Sequence, residues 1–221
     1  MQTPHSRLDQ IRHRRLAVRK GRIVYDAGDP TGAFYRVDRG CIRLQVVSED
    51  GRRRILAFCL PGDIFGLEIG AAHTEGAEAA EDSQVSRFST SAITDPPIDV
   101  SKVTSALRAA SDMISGLFSH LEGLGRGSAE DRLMWFLDWL AARQQVDSSS
   151  GRVRLPMNRR DIADFLGLAQ ETLSRTFAKL EARGLVEVGV GKTIWLRPPK
   201  GLPAKLSGSP AEIVAAALPA R

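Results

Sequence analysis

The sequence predicts an α+β protein made of a small antiparallel β domain, one long helix and a C-terminal winged helix-turn-helix. Three observations predict it. Glycine turns recur at short intervals between residues 22 and 88, and an apolar 3-4 repeat runs from Val103 to Leu124. DIADFLGLAQETLSRTFAKLEARGLV, residues 161–186, then holds two helical patterns joined at a glycine. The division implied is a basic arm over 1–22, the β domain over 23–100, the long helix over 101–127, the winged helix-turn-helix over 128–200 and a tail over 201–221.

For the β domain, AGDPTG, VDRG, SEDG and LPGD space the turns closely enough for a sandwich or barrel of short strands. CIRLQVV alternates, with Ile42, Leu44 and Val46 on one face and Cys41, Arg43 and Gln45 on the other. Asp50-Gly51 is a strong hairpin turn. Pro96-Pro97 closes the region.

The periodicity then changes. Val103, Leu107, Ala110, Ile114, Leu117, Leu121 and Leu124 are spaced alternately by four and three, the a/d stripe of a coiled coil. Met113 and Phe118 widen the stripe on one flank, which is expected to face the chain's own β domain. The strict seam predicts a dimerisation helix. GLGRGS (123–128) ends it, and Ser128 with Asp131 predicts a capping box for a helix over 129–143. VDSSSGR (146–152) is expected to be a polar loop.

Asn158 can cap a helix over 159–166 with Asp161 in its first turn, and Gly167 can end it in a left-handed conformation. After Leu168 and Ala169 a second helix begins, with Leu173, Phe177 and Leu180 expected on Ile162, Ala163 and Leu166. Glu171, Ser174 and Arg175 fall on a separate polar face near its start. A helix in the major groove reads bases with its first turns: arginine suits guanine, a carboxylate suits cytosine, and a hydroxyl serves several edges. The bland alternative for these residues is an exposed Glu171–Arg175 ion pair. LVEVGVGKTIWL predicts a β-hairpin with Lys192 at or just after its tip. Lys192, Arg159, Arg160, Gln170 and Thr172 are the expected phosphate contacts, which hold register while the helix reads sequence.

Bulk properties agree. The 221 residues, 43% hydrophobic and 26% charged, suit an ordinary globular protein with room for two small cores. No apolar run approaches the ~20 residues of a membrane span. MQTPHSRLDQIRHRRL lacks a signal-peptide core, so a cytoplasmic location is expected. Cys41 and Cys59 cannot build a disulfide framework or supply four thiolates to an iron–sulfur cluster. Paired histidines at ligand spacing, a nucleophile motif and a phosphate loop are all missing, so no enzyme, metal or cofactor is predicted. Residues 1–22 carry seven Lys/Arg and one acid (+6), 23–150 carry 12 and 19 (−7), and 151–200 carry ten and five (+5). The basic block around the two-helix motif suits a polyanionic partner.

The order of parts resembles the Crp/Fnr family of bacterial transcription regulators over roughly 20–198. The residues that carry it are GDIFGLE (62–68), RRDIADFLGLAQETLSRTFAKLEARGLV (159–186) and GKTIWL (191–196). The resemblance implies a cyclic-nucleotide-binding-like β-roll, a dimerisation helix, and a homodimer that binds double-stranded DNA and acts with RNA polymerase. E-x-x-S-R, here Glu171, Ser174 and Arg175, looks like the Fnr and FixK side, which implies a TTGAT half-site in an inverted repeat. Residues 1–40 hold no cysteine, unlike the cluster-bearing Fnr type. That implies the FixK type, an activator of microoxic, denitrification or nitrogen-fixation genes. Ala169 stands where the family commonly has a Ser or Thr cap. GLEIGAAHTEGAEAAEDSQV (66–85) has five acids and no Lys or Arg, so no cyclic nucleotide is expected there. The alternative is the same architecture gated by a haem or small effector, for which His73 is the sole histidine in the β domain.

Overall fold

The computed structural model describes residues 11–68, 70–146 and 150–197. Two compact units divide the chain, Met1–Leu121 and Glu122–Arg221.

The first unit begins with β1 (His13–Val18), β2 (Ile23–Tyr25), β3 (Ala33–Arg39) and β4 (Ile42–Val47). It continues with β5 (Arg53–Cys59), β6 (Ile64–Phe65), β7 (Gly76–Ala79) and β8 (Ser83–Ser89). They form two antiparallel four-stranded sheets, ordered β1-β8-β3-β6 and β2-β7-β4-β5. Tyr35 and Val37 of one sheet share a core with Ile42, Leu44, Ala77 and Ala79 of the other, as the period of two demands. Gly40 joins β3 to β4 at φ +92, where an added Cβ would lie 2.7 Å from Ser83 Cα and 2.8 Å from Asp82 O. Only glycine fits that turn.

The predicted arm over 1–22 is corrected in its second half. His13–Val18 pairs with β8 in register from His13↔Phe88 to Val18↔Ser83, so these residues are an edge strand. The arginines on either side, Arg14, Arg15 and Arg19, hid the apolar alternation of Leu16 and Val18, both of which pack on the core.

After the short helix α1 (Ser91–Thr94), α2 spans Val100–Leu124. Its inward face sets Ala109 against Phe34, Ile64 and Phe88, on the outer side of the first sheet. Further along, His120 is buried against β5 of the second sheet, its Nδ1 lying 3.0 Å from Leu56 O. Phe118 does not join that face as expected: it is 68% exposed. Ser105, Ala106 and Ala109 are buried instead, because small side chains let the helix approach the sheet.

The second unit is built from α3 (Ala129–Arg143), β9 (Arg152–Arg154), α4 (Arg159–Leu166), α5 (Gln170–Ala182), β10 (Val186–Val188) and β11 (Thr193–Leu196). Ser128 and Asp131 make the capping box of α3 in both directions. Leu133, Phe136, Leu137 and Leu140 of α3 are fully buried with Ile162 and Leu166 of α4 and Leu173 of α5. The stretch expected to be all loop ends in a strand: β9 pairs with β11, giving a three-stranded sheet ordered β10-β11-β9. Arg152 and Arg154 are exposed and only Val153 is buried, too short a pattern to show in sequence. The tail 201–221 lies outside the described residues.

One half-buried carboxyl in this unit is costly. Asp138 Oδ1 has no hydrogen-bond partner among the described residues. Burial pushes the carboxyl up to about 6, against the pull of Arg126. The folded pKa exceeds the unfolded one, so the contribution of Asp138 to stability is greatest below about pH 4 and falls as pH rises toward about 6. Asp138→Asn is therefore expected to stabilise the unit by about 1–2 kcal/mol near neutral pH and by little at about pH 4. All three tryptophans (135, 139 and 195) lie in this unit, so denaturant unfolding followed by tryptophan fluorescence across pH checks it.

Candidate nucleic-acid interface

α4 starts where predicted, with Asn158 Oδ1 accepting from Asp161 N at 2.8 Å. Gly167 ends it at φ 62, and its N–H donates to Ala163 O. Leu168 and Ala169 complete the three-residue connection to α5. Ala169 gives no side-chain cap, so the first backbone N–H groups of α5 lack that acceptor. Leu173, Phe177 and Leu180 are buried to 2% exposure or less, against Ile162, Ala163 and Leu166 at 1% or less. This packing fixes which side of α5 faces out.

Glu171, Ser174 and Arg175 are all exposed on that outer side. Glu171 and Arg175 make no ion pair among the described residues, so the bland alternative is not the arrangement present. Gln170 and Arg160 are also exposed, and Thr172 is half-buried. Arg159 differs from expectation in its setting. Its guanidinium carbon sits 3.4 Å from the Phe177 ring centroid, and burial lowers its pKa against the opposing pull of Glu181. It braces α4 on α5 by a cation–π contact.

Lys192 is likewise turned inward. Its Nζ donates to Pro156 O at 2.7 Å, which ties the hairpin to the segment before α4. Val190, 97% exposed between Gly189 and Gly191, occupies the tip instead. Nothing in the sequence singles out Glu130, yet its carboxylate binds both Lys179 and Arg183 at the far end of α5. A separation of about fifty residues leaves no local signal for such a contact.

In the β unit, the acidic segment is closed on itself. Glu68 Oε2 lies 2.5 Å from His73 Nδ1, and Glu68 Oε1 accepts from Thr74 N and Oγ1 at 3.1 and 2.7 Å. Burial raises the Glu68 pKa, but the hydrogen bonds from Thr74 and His73 outweigh it and hold the carboxyl below its usual value. His73 is 4% exposed and stacks on Tyr25 with ring centroids 3.7 Å apart. Burial and the neighbouring Glu75 push the Tyr25 hydroxyl pKa up. Arg43 of β4 is buried and paired to Glu78 at 2.5 Å. Among the described residues no group of three or more His, Cys, Asp or Glu is placed to hold a metal ion. No helix among them is long and apolar enough to cross a membrane.

A β-roll followed by a long helix and a winged helix-turn-helix with an open polar outer face defines a DNA-binding transcription regulator. The cyclic nucleotide-binding domain family matches residues 15–95, and the Crp-like helix-turn-helix domain family matches 131–204. The nitrogen fixation regulation protein FixK of Rhizobium meliloti (strain 1021) is 35% identical over 82% of this chain and 82% of its own. FixK of Bradyrhizobium diazoefficiens is 36% identical over 84% of this chain and 79% of its own. The structure of FixK2 from Bradyrhizobium japonicum superimposes with a TM-score of 0.77 at 34% identity, covering 85% of this chain and 93% of that one. The chain belongs to the Crp/Fnr family of transcription regulators, on its FixK side.

Proposed function

We propose that this protein acts as a homodimeric activator that reads a TTGAT-N4-ATCAA-like inverted repeat through Glu171, Ser174 and Arg175, and controls microoxic, denitrification or nitrogen-fixation genes. The observation that carries the reading is the free, exposed Arg175 beside Glu171 and Ser174 on the face that the core of the unit leaves outward. Arg160, Gln170, Thr172 and the uncapped start of α5 supply phosphate contacts around it. Arg159 and Lys192 contribute through the braces described above as well as through charge.

Dimerisation draws its support from α2. Leu107, Ile114, Leu117 and Leu121 of the predicted stripe are 66%, 50%, 40% and 62% exposed, and Phe118 extends the patch. An apolar face of that extent calls for a cover, and a second copy of the same helix supplies one. The names of the relatives from Rhizobium meliloti and Bradyrhizobium diazoefficiens support nitrogen-fixation genes as targets; RNA polymerase is the further partner that an activator requires. His73 is committed to Glu68 and Tyr25, which favours a regulator that carries no haem on it.

Gel-shift titration on a TTGAT-N4-ATCAA duplex, beside a duplex with both half-sites scrambled, tests the proposal. Equal affinity for the two would sink it. Cyclic AMP is expected to leave both DNA affinity and melting temperature unchanged, since Glu68 is already occupied by His73 and Thr74. A dose-saturating rise in melting temperature would show native-state binding and overturn that expectation.

A further inference from the structure

We infer that Glu130 is an intramolecular counterion that masks Lys179 and Arg183 and so limits sequence-independent attraction of α5 to DNA. The inference rests on the reading that the outer face of α5 meets DNA. Three cations lie along the exposed side of α5 and its C-cap: Arg175, Lys179 and Arg183. They are treated differently. Arg175 has no hydrogen bond or ion pair among the described residues. Lys179 Nζ meets Glu130 Oε1, and Arg183 Nη1 meets Glu130 Oε2 at 2.6 Å, so each oxygen of one carboxylate takes one cation.

Position makes the masking consequential. At 3.6 residues per turn, Lys179 stands about 40° around the helix from Arg175, on the flank of the reading face. Its side chain is 65% exposed and that of Arg183 is 38% exposed, whereas Glu130 is 21% exposed and anchored in the first turn of α3. Flexible cations on that flank can neutralise a phosphate or the carboxylate. Exposed ion pairs of this kind add little to stability. Their larger effect is on DNA, where each cation that neutralises a phosphate steepens the salt dependence by about 0.9 in log–log slope. By holding both, Glu130 leaves Arg175 as the cation of the helix without a partner among the described residues, and Arg175 is the one placed to read a base.

The test is fluorescence anisotropy of the full chain with a scrambled duplex, across a salt series from about 50 to 200 mM. Glu130→Gln is expected to bind that duplex about tenfold tighter at about 0.1 M salt, with a slope steeper by about one to two. Lys179→Gln with Arg183→Gln, in the presence of Glu130, is expected to leave the slope unchanged. An unchanged slope in Glu130→Gln, or a slope lowered by about two in the double variant, overturns the masking. Weaker binding by Glu130→Gln with loss of base discrimination would also overturn it, and would make Glu130 a brace for the helix. Those results leave the DNA reading standing, because wild-type discrimination between the palindrome and the scrambled duplex is measured alongside. A wild-type protein with no salt-dependent affinity for either duplex removes both.

Discussion

Leu117→Glu is expected to run as a monomer in light scattering and to lose tight binding to the palindrome. Leu117 lies within the exposed apolar face of α2, between Ile114 and Leu121. A carboxylate at that point would be stripped of water in a helix–helix seam with no cation opposite, which costs several kcal/mol. Two half-sites about one helical turn apart need two linked reading heads. Separating the heads forfeits the effective concentration of the second, so palindrome affinity should fall about a hundredfold or more. Affinity for a single half-site should barely change. A variant that remains dimeric would place the interface on another surface.

Arg175→Ala is expected to cost about 1–3 kcal/mol on the cognate duplex and to flatten discrimination at the guanine of TTGAT. The reasoning is geometric. Arg175 is exposed and unpaired among the described residues, so removing it breaks no intramolecular contact that could account for a loss. Phosphate contacts weaken all sequences alike, whereas a base contact changes preference. Duplexes substituted at each half-site position separate the two. If Arg175→Ala retained the wild-type preference for guanine, Glu171, Ser174 and Arg175 would not be the reading face.

Much of this was legible because it is written in local periodicity. The capping box of Ser128 and Asp131, the Asn158 cap and the left-handed Gly167 each depend on residues within four positions. The buried side of α5 follows from Leu173, Phe177 and Leu180 at helical spacing, and the exposed polar face is its complement. Strand β1 was not legible, since only Leu16 and Val18 of it pack on the core and His13, Arg14 and Arg15 fill its first half. Strand β9 exists through pairing with β11, a contact across about forty residues.

The sequence by itself determined the order of parts, the helix boundaries of the two-helix motif and the identity of its outward side chains. Hydrophobic period and capping chemistry act within a few residues, so the chain carries that information locally. Only the tertiary structure decided which cations are free. Arg159 on Phe177, Lys192 on Pro156, and Lys179 and Arg183 on Glu130 are partnerships between different elements. It also turned Phe118 outward and closed Glu68 with His73. A charged side chain looks the same in a sequence whether solvent, an aromatic ring or a carboxylate awaits it, because its partner is chosen by how separated segments pack.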